Sequence, residues 1–136
     1  MQNNSQILLQ NPPVALAPLA GITDLPFRNL VSSFGASFVV SEMVASQEMV
    51  QAKKGVREKA ELGFESANTA VQLAGRDPYW MAEAAQMVAD NGAQVIDINM
   101  GCPAKKVVGG LSGSALMRDL DHALRMIEAV TAAVTL

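Results

Sequence analysis

The sequence predicts an α/β fold of parallel strands with outer helices, the first four βα units of a TIM (βα)8 barrel. Three observations carry this. Short apolar runs alternate four times with stretches of helical periodicity, a rhythm that calls for parallel strands with crossover helices. The links between them are short, so successive elements are expected to be neighbours. The unusual residues collect at the C-terminal ends of all the strands: Pro18 to Gly21, Glu42-Met43, Gln72, and Asn99 to Cys102. An open doubly wound sheet gathers its chemistry at one crevice, whereas a barrel spreads it over every strand end.

Each element follows from local signals. Residues 1–13 read as a polar N-terminal leader closed by Pro12-Pro13. Residues 14–17 form strand one, which empties into the small-residue loop 18–24. Thr23 or Asp24 caps the next helix, with Pro26 in its first turn. Phe27, Leu30, Val31 and Phe34 mark that helix's apolar face, and Gly35 its end. Residues 37–43 are strand two, and residues 44–52 read as helical. Between residues 53 and 68 lysines, an arginine and glutamates interleave, as in a solvated connection. Residues 69–74 are strand three, and Asp77-Pro78 caps helix three. Met81, Ala84, Ala85 and Val88 give that helix a buried face, and Gly92 stops it. Residues 94–99 are strand four, and 109–114 a glycine/serine-rich loop. The last helix starts at Asp119, with Leu120, Leu124, Ile127, Val130 and Val134 as its apolar positions. A barrel takes about 250 residues, so residues 14–136 read as the N-terminal half of one.

Composition narrows the class. Of the 136 residues, 50% are hydrophobic and only 17% charged, enough for a buried core and too apolar for disorder. A net charge of −3 and a pI near 5.0 exclude a dedicated basic nucleic-acid module and leave room only for local cation clusters. One cysteine forms no intrachain disulfide, and with a single histidine, His122, no structural metal site is expected. The compartment that fits is the reducing cytoplasm. The N-terminus lacks the basic start and long apolar run of a signal peptide, and no window reaches membrane-span length.

The chemistry centres on Asn99-Met100-Gly101-Cys102-Pro103. Free thiols titrate near about pH 8.5 and are mostly protonated at neutral pH, which suits a proton donor better than a nucleophile. The plain alternative is a small buried hydrophobe. Gln72 and Asn99 end otherwise apolar strands; a buried amide without partners costs about 1–3 kcal/mol. A planar polar ligand would satisfy them, and so would water or loop backbone. Pro18, Leu19, Ala20 and Gly21 are slight enough for a flat ring to approach, or form an ordinary turn. The 109–114 loop has neither Walker nor G-x-G-x-x-G spacing and reads as a mobile lid or a tight helix start. Glu42 either orders the mouth or caps a neighbouring loop. Lys105 and Lys106, next to the thiol, are placed for phosphates. Lys53, Lys54, Arg57 and Lys59 read more simply as a solvated mixed-charge face, and His122 as a solvated surface histidine.

Four segments together resemble the tRNA-dihydrouridine synthases, most closely their bacterial B-type branch. They are residues 17–24 (Ala-Pro-Leu-Ala-Gly-Ile-Thr-Asp), 40–43 (Val-Ser-Glu-Met), 71–75 (Val-Gln-Leu-Ala-Gly) and 97–103 (Asp-Ile-Asn-Met-Gly-Cys-Pro). Their order and spacing match from Val14 onward. The resemblance implies an FMN-binding TIM barrel in which NADPH reduces the flavin, hydride passes from FMN N5 to uracil C6 in tRNA, and a cysteine protonates C5. Residue by residue it implies Cys102 as the proton donor, Pro18, Leu19, Ala20, Gln72 and Asn99 at the flavin, and Lys105, Lys106 and Glu42 on the substrate side. Leu19 stands where many relatives carry methionine, a swap that keeps an apolar wall. The lysine of the family's next strand, its phosphate loops and its helical tRNA-binding domain have no counterpart in residues 1–136. Two alternatives remain: a dihydroorotate-type dehydrogenase barrel, with the cysteine as base, and an inactive truncated product whose open sheet edges favour association.

Overall fold

A computed structural model describes residues 14–63 and 68–135, so the expected leader at 1–13 lies outside the described residues. In chain order the elements are β1 (Ala15–Leu16), α1 (Leu25–Ser33), β2 (Phe38–Val40), β3 (Val44–Ala45) and α2 (Ser46–Val50). A 3-10 turn (Arg57–Ala60), β4 (Thr69–Ala74), α3 (Pro78–Asp90) and β5 (Val95–Ile98) follow. The chain continues through α4 (Lys105–Gly109), a second 3-10 turn (Gly113–Arg118) and α5 (Leu120–Ala133).

Every strand pairing is parallel. β1 pairs with β2, β4 takes both β2 and β3 along one edge, and β5 lies on its other edge. Spatial order therefore follows chain order without a reversal, which makes the sheet an arc of a (βα)8 barrel rather than half of a doubly wound sheet.

β2 and β3 are one strand broken by a bulge. Val40 stands opposite Ala70 and Val44 opposite Leu73, so three residues face two. Ser41, fully buried, repairs the break. Its N–H donates to the Ala70 carbonyl at 2.9 Å, and its hydroxyl accepts the Gln72 N–H at 3.0 Å while donating to the Glu42 carbonyl at 2.9 Å. The sequence reading made residues 44–52 helical throughout. The first two instead continue the strand, because β4 offers them a ladder, and the helix starts only at Ser46.

The two faces of the sheet differ. Val71 and Leu73 pack outward on Met81, Ala84, Ala85 and Val88 of α3, with Met126 and Val130 of α5 in the same core. Phe38, Val40 and Ala70, with Val95 against them, form a smaller cluster on the other face. By strand alternation, Gln72 and Asp97 share that inner face.

Helix starts are capped as expected: Asp24 Oδ1 accepts the Phe27 N–H at 3.0 Å, Asp77 Oδ1 accepts from Tyr79 at 2.9 Å, and Asp119 Oδ1 accepts from His122 at 2.9 Å. Two helix faces depart from the expectation. In α1 the buried residue is Arg28, while Leu30 and Phe34 are exposed, Phe34 by 83%. In α5 the packed stripe is Ala123, Met126 and Val130, which meets α3; the neighbouring stripe of Leu120, Leu124 and Ile127 stays exposed. Both helices carry more apolar positions than their neighbours in the arc cover. The 53–68 connection is not wholly solvated either, since Val56 and Ala60 are buried in the main core. Among the described residues no helix is long and apolar enough to cross a membrane.

Because Ser41 serves one orphaned donor and one carbonyl in a dry position, Ser41→Ala is expected to cost about 1–3 kcal/mol. Urea unfolding measures this, and an unchanged midpoint would contradict the bulge repair.

Candidate active site at the mouth of the arc

The first wall of the mouth is the loop after β1. Thr23, fully buried, folds its hydroxyl back on Leu19: Oγ1 accepts the Leu19 N–H at 3.0 Å and donates to the Leu19 carbonyl at 3.2 Å. Gly21, at φ +76°, takes a backbone conformation that a side chain would strain, and its N–H donates to Glu42 Oε1. Arg28 ties the loop from below, its guanidinium donating to the Thr23 carbonyl at 2.6 Å and to the Glu61 carbonyl. Burial pulls the Arg28 guanidinium below its ordinary pKa, and Asp24, Glu42 and Glu61 oppose that pull. The result is a fixed turn with Pro18 half-buried and Leu19, Ala20 and Ile22 open to solvent.

The floor is a relay of side chains. Gln72 and Asp97 are register partners on β4 and β5, and Gln72 Nε2 donates to Asp97 Oδ2 at 2.5 Å. Asn99 Nδ2 then donates to Gln72 Oε1 at 3.0 Å. Asn99 Oδ1 turns to the cysteine loop, accepting the Cys102 N–H at 3.1 Å and the Gly101 N–H at 3.4 Å. The amides expected to await a ligand or water are thus already joined to each other. Spare capacity remains: each amide nitrogen keeps a second hydrogen and Gln72 Oε1 a second lone pair, while Asn99 Oδ1 already accepts two bonds.

The cysteine turn is also held from above. Ser114 N–H donates to the Cys102 carbonyl at 3.0 Å, and Gly113, buried with φ +60°, lies directly over that residue. A Cβ at 113 would stand 2.6 Å from the Cys102 carbonyl oxygen and 3.3 Å from its Cβ. The 109–114 segment is therefore not a free lid. Its start closes α4, Ser112 bonds back to the Val107 carbonyl, and its end clamps the thiol-bearing turn. Cys102 itself is free and half-buried.

Lys105 and Lys106 are exposed at the start of α4. Lys106 reaches a pocket of about 250 Å³ that it shares with Lys59, Glu48 and Ser112. The hydrogen bond from Lys53, 2.6 Å from Glu48 Oε1, holds the Glu48 carboxyl below its usual range, with Lys106 and Lys59 adding to the effect. His122 is less solvated than expected. Half-buried, its Nε2 lies 2.6 Å from the Arg76 carbonyl and its Nδ1 3.2 Å from Arg125 Nη2, which clips α5 to the loop after β4. Among the described residues no group of three or more His, Cys, Asp or Glu side chains could hold a metal ion.

The structure brings Gln72, Asn99 and Cys102 into one bonded chain and joins Glu42 to the 18–21 loop. Three contributors escaped the sequence reading. Asp97 had a legible signal, since it shares strand alternation with Asn99. Ser41 and Gly113 had none, because a bulge and a left-handed glycine declare themselves only in three dimensions.

A parallel arc with a polar relay, a thiol and cations gathered at the C-terminal strand ends is the pattern of an α/β barrel. The chain belongs to the dihydrouridine synthase (Dus) family, whose model matches residues 15–136. It is 67% identical over 127 residues to a probable tRNA-dihydrouridine synthase of Rhodobacter capsulatus, covering 93% of this chain and 39% of that protein. A probable tRNA-dihydrouridine synthase of Rickettsia conorii is 52% identical over 124 residues, covering 90% of this chain and 38% of the relative. The tRNA-dihydrouridine synthase B of Xanthomonas campestris is 48% identical over 123 residues, 90% and 37% of the two chains. The chain thus spans less than two fifths of the length of these curated relatives.

Gly113→Ala forces a side chain against the Cys102 carbonyl in a backbone region that strains it, at about 1–3 kcal/mol. The expected readout is a changed rate of Cys102 alkylation together with a lowered unfolding midpoint; wild-type values for both would mean that the clamp is dispensable.

Proposed function

We propose that this chain supplies the thiol-bearing part of an enzyme that reduces uridines in tRNA to 5,6-dihydrouridine with FMN and NADPH. The observation that carries it is the relay that fastens the Cys102 turn to two inner-face amides. Residues 14–136 form the N-terminal half of the FMN-binding barrel, residues 1–13 a leader, and a second half with a helical tRNA-binding domain completes the cytoplasmic enzyme.

The residues present fit a flavin. Gln72 offers an unused hydrogen and an unused lone pair and Asn99 an unused hydrogen, all in fixed orientation, as a ring edge with alternating polar atoms requires. Leu19 and Ala20 offer an exposed, low-polarity wall beside Pro18, and side chains at Gly21 or Gly101 would meet nothing within 4 Å. Bound FMN, reduced by NADPH, would supply hydride from N5 to C6 of the uracil. Cys102 Sγ would give its proton to C5, and the clamped turn would keep that thiol on one side of the base. Asn99 would orient flavin and base together. Glu42 acts on the substrate side through the Gly21 turn that it fixes. Lys105 and Lys106 would hold phosphates of a nucleotide whose base has been turned out of the tRNA fold.

Fusing this chain to the remaining residues of the Rhodobacter relative tests the proposal on tRNA from a synthase-deficient strain. Dihydrouridine should reappear, and Cys102→Ala should slow its formation about 10²–10⁴-fold. Turnover of dihydroorotate without any dihydrouridine would overturn the reading in favour of a small-molecule dehydrogenase. The 136-residue chain alone should retain FMN only weakly, because the arc encloses half a mouth; a flavin spectrum that survives gel filtration would contradict this.

A further inference from the structure

The relay has a direction, and one residue imposes it. A carboxylate only accepts hydrogen bonds, whereas a side-chain amide can present either end to a neighbour. Facing Asp97 Oδ2 at 2.5 Å, Gln72 must present Nε2, which leaves Oε1 for the next partner. Facing Oε1, Asn99 must present Nδ2, which leaves Oδ1 for the turn. Oδ1 is the acceptor the Gly101 and Cys102 N–H groups need. Reverse the first bond and every later one reverses: Asn99 Nδ2 then meets the Cys102 N–H, donor against donor.

We infer that Asp97 is a positioning residue that sets the polarity of this relay and thereby holds the Cys102 turn. Its own carboxylate lies two strand positions before Asn99 and five residues before the thiol, so it acts through Gln72 and Asn99 rather than on the reacting atoms. The relay also fixes which face of the Gln72 amide remains for a ligand: one hydrogen on Nε2 and one lone pair on Oε1. The catalytic meaning of this rests on the flavin and uridine reading above; the hydrogen-bond polarity does not.

The test is residue-resolved amide hydrogen exchange on the 136-residue chain, without flavin or tRNA. In Asp97→Asn both polarities become available, so the Cys102 amide should exchange at least about tenfold faster, while Val71 and Leu73 in the β4 ladder stay protected. The double variant Q72E/D97N restores direction from the other side. The carboxylate introduced by Q72E accepts from Asn99 Nδ2, Oδ1 swings back to the turn, and slow Cys102 exchange should return. A residue that merely packs would not be rescued this way. Cys102 exchange in D97N within twofold of the starting chain overturns the proposal. So does a folded double variant, with protected β4 amides, that still exchanges fast at Cys102. Should D97N alone lose its fold, the double variant decides by the same two readings. Slow Cys102 exchange in the double variant alongside absent dihydrouridine formation by the unsubstituted fused enzyme would support the relay and sink the enzymatic reading.

Discussion

The mouth depends on the hydrogen-bond ladder of β4. That strand is buried along its whole length, pairs on both edges and carries the α3 core on its outer face. A regular partner strand would have continued straight past the mouth. The extra residue among Ser41, Glu42 and Met43 instead bends the chain where polar groups are needed, and one hydroxyl makes the bend affordable. Bulges in parallel sheets are uncommon. This one turns Glu42 to Gly21, so the first two strand ends share a hydrogen bond that neither ladder supplies.

From that anchor the polar groups run in an unbroken sequence. Glu42 holds the loop after β1, and Arg28 holds the same loop through the Thr23 carbonyl. Across β4, Asp97, Gln72 and Asn99 hold the turn after β5. Each of these side chains is fixed by bonds within the fold itself. The anchoring joins three charged side chains, Glu42, Arg28 and Asp97, to backbone groups and neutral amides. Lys59, half-buried, and Lys106, exposed, line a pocket with Glu48 and Ser112 instead of joining this set of bonds.

The strand-and-helix order, the strand-end location of the chemistry and the helix caps were legible because each rests on a local rule: apolar periodicity, short links, Asp before a first-turn proline. β4 was read with its correct limits, since a mostly apolar run from Thr69 to Ala74, bounded by Asn68 and Gly75, leaves little choice. The rotation of α1 and α5 was not legible. Both helices carry more apolar positions than one face holds, and the neighbours decide which are covered. Nor could the sequence show that Gln72 and Asn99 bond to each other. Their contact spans 27 residues and depends on register. The glycines between 109 and 114 left a mobile lid and a tight helix start open; Gly113 begins the second 3-10 turn, where a Cβ would press on the Cys102 carbonyl.

The exposed stripes on α1 and α5 bear on how such a chain assembles. Spatial order repeats chain order, so each βα unit can dock on the one synthesised just before it, with small loops to close. Among the described residues β5 is paired on one edge, by β4, and Leu120, Leu124 and Ile127 of the helix that follows are exposed like an unglazed side of a tile. An apolar helix stripe beside a strand paired on one edge is an adhesive surface, on which further docking or self-association can begin.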